Sequence, residues 1–225
     1  MQDKRCNEGH GRELICINVD KVYDWIVKEK SFDISPTEAI AFPALHSDTS
    51  LANAVVTCEV TPAAMDPVVI LNREDREFCI DGKKVCLQQL TIQKNFTLTV
   101  IVTVAGGTLR SVGIPVSRCE QVTLCAPEGT DVEVTYTDLD CFVCSTGALE
   151  FVAGTPNVTP NSIRFTDLNI SVSTCQSIQS TFPVTVEFSA NFCEPREDFP
   201  TAACPAPTHP KQCPAIFPDT DHRRH

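Results

Sequence analysis

The sequence predicts an all-β fold, a two-sheet β-sandwich or barrel-like domain with one short N-terminal helix and disordered arms. Three observations point there. Between residues 96 and 104 apolar side chains take every second position (Phe96, Leu98, Val100, Val102, Val104), and threonines fill most of the alternates. A period of two built from β-branched residues is a strand signal. Short runs of the same kind recur along the chain, separated by turn signals such as Asp81-Gly82. Helical spacing is confined to one stretch near the start, so the layers available are sheets.

Residues 1–17 form a polar arm carrying Cys6 and Cys16. The stretch 18–30, NVDKVYDWIVKEK, places Val19, Val22, Tyr23, Ile26 and Val27 at helical spacing, with Asn18 or Asp20 as cap. It predicts a short amphipathic helix; the rival is a strand, which Val, Tyr, Trp and Ile also suit. Trp25, the single tryptophan, is expected to pack on the sheet. Residues 31–51, with Pro36 and Pro43, read as an extended loop, and strand-like runs follow at 54–60, 67–71, 77–80 and 84–92. The central hairpin, 94–118, is best aligned with Gly106-Gly107-Thr108 as a bulged loop. That sets Val102 against Val112 and Val100 against Ile114, whereas a one-residue slip would turn the apolar face outward. Further strands are expected at 121–126, 131–137, 141–144, 148–152, 162–165, 167–173 and 183–192.

The chain changes character at Glu194. Residues 194–225 hold seven of the 16 prolines and no glycine, a composition that extends rather than packs, and they carry Cys204 and Cys213. The expected organisation is a Cys-containing arm over 1–17, a β-sandwich domain over 18–193 and a proline-rich tail over 194–225.

A chain of 225 residues buries roughly 70% of its unfolded surface, enough for one sizeable core. The formal net charge of −11 argues against nucleic acid and anionic membrane surfaces as partners. No run of 18 apolar residues is present, so no transmembrane helix is expected. The 13 cysteines are the informative count, and an odd total cannot pair completely within one chain. Against this, residues 1–12 are polar and show no signal peptide. Either a leader has been removed, or the protein is made in a cytoplasm and oxidised later.

Residues that could carry chemistry are few. Cys141-Phe-Val-Cys144 is the one CxxC pair and the candidate for zinc, but no second knuckle accompanies it and no helix start favours a redox dithiol. The expected role of Cys141 and Cys144 is structural. His46 is the lone histidine between residues 18 and 193, so a positioned general base is hard to supply. The acidic residues Asp131, Glu133, Asp138 and Asp140 lack EF-hand spacing and read as a solvated strand face. Gly106-Gly107 joins two strands and opens no helix, unlike a phosphate loop. These readings predict no enzyme, no catalytic residue and no cofactor.

The arm cysteines Cys6, Cys16, Cys204 and Cys213 are the candidates for intermolecular disulfides, because arms reach neighbouring molecules and exposed thiols exchange. An arm can also add a strand to a neighbour's sheet edge before its cysteine locks it. Two stretches, CINVDKVYDWIV (16–27) and CQSIQSTFPVTVEFSANFCEPR (175–196), resemble cysteine-rich, leaderless proteins of endospore-forming bacteria associated with the spore surface (coat, exosporium or appendage). The resemblance implies synthesis in the mother cell and oxidation after that cell lyses. The expectation is a structural, self-assembling subunit of a disulfide-cross-linked spore-surface or extracellular layer or fibre, a homo-oligomer or polymer. The alternatives are a monomeric extracellular binding or adhesin module with internal disulfides, and a zinc protein using the CxxC pair.

Overall fold

The computed structural model describes residues 13–156 and 158–190. They form eleven strands: β1 (Glu13–Ile34), β2 (Ile40–Ala41), β3 (Val55–Pro62), β4 (Val68–Ile80), β5 (Lys83–Val104), β6 (Gly107–Arg110), β7 (Ile114–Leu124), β8 (Asp131–Ser145), β9 (Leu149–Val152), β10 (Ser162–Phe165) and β11 (Asn169–Ala190). The described residues fall into two compact units, Val22–Phe182 and a smaller one holding residues 13–21 and 183–190. In the smaller unit Thr185 Oγ1 donates to Asn18 Oδ1 at 2.8 Å.

The 22-residue β5 is the hub of the larger unit. Along one edge it pairs with β4 and then β3, and along the other with β7 and then β6, all antiparallel. Its even-numbered side chains from Gln88 to Val104 are buried while their neighbours are more exposed, so one face of the five-stranded sheet is core. A second sheet, in the order β1-β11-β8, supplies Ile170, Val172 and Cys141 to the core built on Phe96, Leu98, Val100 and Val102. Trp25 contacts Ser177 and Lys30 contacts Thr174, so β1 runs antiparallel to β11. A small third sheet, β2-β10-β9, adds Ile40 and Ile163 to the same core. None of these sheets closes into a barrel. Burying each such Leu, Ile, Val or Phe contributes about 1.5–3 kcal/mol.

Several expectations need correction. Residues 18–30 are strand, not helix, and the strand already begins at Glu13, inside the expected arm. A helix that short depends on tertiary packing, whereas a strand here gains a ladder to β11 and turns Asp24, Ile26, Lys28, Phe32 and Ile34 to the less exposed side. Residues 31–34, expected in a loop, complete this strand. Trp25 lies against β11 through its indole N–H, which donates to Ser177 Oγ at 2.6 Å, yet remains 60% exposed.

The central hairpin has another register. Ala105-Gly106 forms the turn, Val104 faces Gly107 and Val102 faces Leu109, which is buried. The register then shifts between Ser111 and Gly113, so that Leu98 faces Ile114 and Val112 is exposed. Ser111 Oγ accepts the Val100 N–H at 2.9 Å in place of a ladder bond. Gly113 leaves room for Thr97 there, because a Cβ would meet Thr97 Cγ2 at 2.7 Å and force that side chain to move. The Asp81-Gly82 turn stands as expected, with φ of 50° and 75° joining β4 to β5.

Candidate functional site

Nine of the cysteines lie within the described residues. Cys58 on β3 and Cys141 on β8 form a disulfide, with Cα atoms 6.0 Å apart, that ties the five-stranded sheet to the second sheet. The other seven are free thiols: Cys16, Cys79, Cys86, Cys119 and Cys144 are exposed, and Cys125 and Cys175 are partly so. Of the expected cross-linking residues, Cys16 is an exposed thiol on β1, while Cys6, Cys204 and Cys213 lie outside the described residues.

Cys79 and Cys86 share a hairpin. Cys79 faces Lys84 and Glu77 faces Cys86, which puts both cysteines on one face at diagonal positions. Diagonal Cα atoms in a sheet are about 7–8 Å apart, beyond ordinary disulfide reach. The free thiols on β4, β5, β7 and β8 were not legible as exposed from the sequence, since exposure depends on which face each strand turns outward.

The CxxC pair divides between two faces. Cys141 is 8% exposed and bonded to Cys58, while Cys144, three positions on, is exposed. Residues three apart in a strand point to opposite sides, so the pair does not converge on one metal ion. Among the described residues no group of three or more His, Cys, Asp or Glu side chains is arranged to hold a metal. His46 sits in a tight turn, its N–H donating to Thr49 Oγ1 at 3.3 Å.

A second feature was missed entirely. The core is two hydrophobic clusters, one around Phe96–Val102 and one around Leu90, Ile92, Val122, Leu124 and Ile178. Polar side chains separate them. Lys94 on β5, 5% exposed, is ion-paired to Glu120 on β7 and hydrogen-bonded to Gln176 Oε1 on β11. Gln176 Nε2 donates to Glu120 Oε2 at 2.9 Å, and Lys28 Nζ on β1 lies 2.6 Å from Glu120 Oε1. Tyr136 on β8 is the register partner of Gln176. Five strands thus contribute one inward polar residue each at the same level.

The electrostatics follow from this packing. Burial opposes ionisation of Glu120, but hydrogen bonds from Lys28, Lys94 and Gln176 prevail and hold its carboxyl at about 2. Burial pulls Lys94 below the usual lysine range, against the pull of Glu120 and with the help of the Lys28 and Lys30 charges. Burial and the Glu120 charge push Tyr136 up to about 12.

Beside this layer lies a cavity of about 460 Å³ lined by residues of β1, β5, β7 and β11. It opens between β1 and β7, each the outermost strand of its sheet. The opposite side, between β3 and β8, is the one the disulfide joins. At the open side Arg118 stacks on the Phe32 ring, 5.0 Å from its centroid, and donates to the Asp33 carbonyl at 2.9 Å.

No known protein family, curated protein or solved structure matches the chain. The chemistry available to these residues is therefore argued from their geometry: thiols free to bond outside the molecule, and a charged layer that opens on a cavity.

Proposed function

We propose that this chain is a structural subunit that self-associates and is then locked by intermolecular disulfides, in a spore-surface or other extracellular layer or fibre. One observation carries the reading. Seven of nine described cysteines have no disulfide partner among the described residues, and five of those are exposed. A module stabilised only by internal bridges gains nothing from so many unpaired surface thiols, whereas a cross-linked lattice needs several per subunit.

Two further features support it. β1 and β7 are each the outermost strand of their sheet among the described residues, the position at which a neighbour can add a strand. The outward face of β1 exposes Tyr23, Trp25 and Val27, apolar area that association would cover. The spore surface enters through the resemblance of residues 16–27 and 175–196. Residues 16–27 lie on β1 and 175–190 on β11, hydrogen-bonded neighbours in one sheet.

Electrophoresis without reductant tests the reading. Air-oxidised protein is expected to run as a ladder that collapses to one band with reductant. A single monomer band under both conditions would favour the monomeric binding module, for which the Cys58–Cys141 bridge is the supporting observation.

A further inference from the structure

We propose that the mouth between β1 and β7 is a binding site for a small organic carboxylate carrying a flat apolar body. The cavity, about 460 Å³, has the size of ordinary ligand sites. Its lining holds three cationic residues, Lys30, Lys94 and Arg118, against one acid, Glu120, a local excess of two positive charges in a chain of net charge −11. Such an excess in an acidic protein attracts an anion.

The cations are not all spent internally. Glu120 already holds Lys28 and Lys94 and accepts from Gln176. Arg118 donates to the carbonyls of Ser117 and Asp33, and no ion pair of Arg118 or Lys30 with a carboxylate is present among the described residues. A guanidinium has five N–H donors in a planar fork, so Arg118 retains donors for a carboxylate. Lys30 on the facing strand supplies a second positive charge.

The rest of the lining selects the body of the ligand. Phe32, half-buried and backed by the buried Phe96 at 5.7 Å between centroids, gives the mouth its apolar side, and the Arg118 guanidinium lies over it. A bare anion would leave that side unused. A flat ring bearing one carboxylate matches both halves, its ring against Phe32 and its charge toward Arg118 and Lys30.

Calorimetric titration of the full chain at low salt, with benzoate as the probe and benzamide as its neutral counterpart, tests this. Saturable benzoate binding is expected, with benzamide weaker by about tenfold or more, the scale of a charge-assisted hydrogen bond. Arg118→Gln and Lys30→Gln should each weaken benzoate by about tenfold. Lys84→Gln, on the remote hairpin, should leave it unchanged. Circular dichroism of each variant separates lost binding from lost folding, and Lys30→Gln alters only an exposed side chain. Absence of saturable binding, equal affinity for benzamide, or folded variants that bind benzoate normally would each overturn the proposal. So would inorganic phosphate binding as tightly as benzoate, with Phe32→Leu without effect. These outcomes are independent of whether the chain cross-links.

Discussion

Lys94 and Glu120 occupy diagonal positions on neighbouring strands, face inward, and form an ion pair between the two hydrophobic clusters. Removing one member of such a pair exposes the other to the full cost of burial, about 3–5 kcal/mol. The two members are not equivalent. Without Lys94, Glu120 still has Lys28 and Gln176; without the Glu120 charge, Lys94 has only the Gln176 carbonyl. Glu120→Gln is therefore expected to destabilise by about 3 kcal/mol, and Lys94→Met by clearly less. Urea denaturation midpoints at neutral pH rank the two, and the reverse order would contradict the assignment.

The same carboxyl sets the acid limit. Its folded value of about 2 lies below the ordinary 4.5, so the folded state binds fewer protons than the unfolded one between those values. Its contribution is present above pH 4.5 and lost as pH falls toward 2, on the order of 3 kcal/mol in all. The stability of Glu120→Gln should fall less steeply over this window. Tyr136 acts at the other end. Raised to about 12, it keeps its proton in the folded state after the unfolded tyrosine has lost its own, so its contribution declines from about pH 10 to 12. Tyr136→Phe should remove that part of the alkaline decline.

The Cys58–Cys141 bridge closes a long loop, with 83 positions separating the two residues in sequence. Loop entropy assigns it about 4 kcal/mol. Cys58→Ser is expected to lower the thermal midpoint by about 10 °C, given the slope for a chain of this size. It should leave the ladder of cross-linked species in place, because neither cysteine is an exposed thiol. A ladder that vanishes with Cys58→Ser alone would show that this pair, and not the surface thiols, joins molecules.

Trp25 reports on association. Its ring is 60% exposed on β1 while its indole N–H is held by Ser177. If neighbours cover this face, the oxidised material should emit at shorter wavelength than the reduced monomer and resist iodide quenching. Unchanged emission and quenching on assembly would place the contact elsewhere.

Much of this fold could be read from the sequence because β5 alternates so regularly through Phe96–Val104, and because Asp81-Gly82 has the residues a tight turn needs. The polar layer was hidden for the same reason. Lys94, Glu120, Thr174, Gln176 and Ser180 occupy inward positions. At these points alternation of apolar residues stops, so β5, β7 and β11 looked like pairs of shorter strands. In β8 the break falls at the acidic positions Asp138 and Asp140. The charge layer depends on partners as far apart in sequence as Lys28 and Glu120, or Lys94 and Gln176, a relationship no local pattern carries. The hairpin register failed on Leu109, which was not counted among the apolar positions although it fills the place opposite Val102.

The most direct test of cross-linking mixes protein labelled with ¹⁴N and ¹⁵N in equal amounts, oxidises the mixture in air, and maps disulfide-linked peptides by mass spectrometry without reduction. Peptides joined through Cys16, Cys79, Cys86, Cys119 or Cys144 are expected to include pairs of mixed label, while the Cys58–Cys141 pair stays unmixed. If those five cysteines and the arm cysteines Cys6, Cys204 and Cys213 are all found only reduced, or only in pairs of a single label, sulfur does not join these molecules and the account fails.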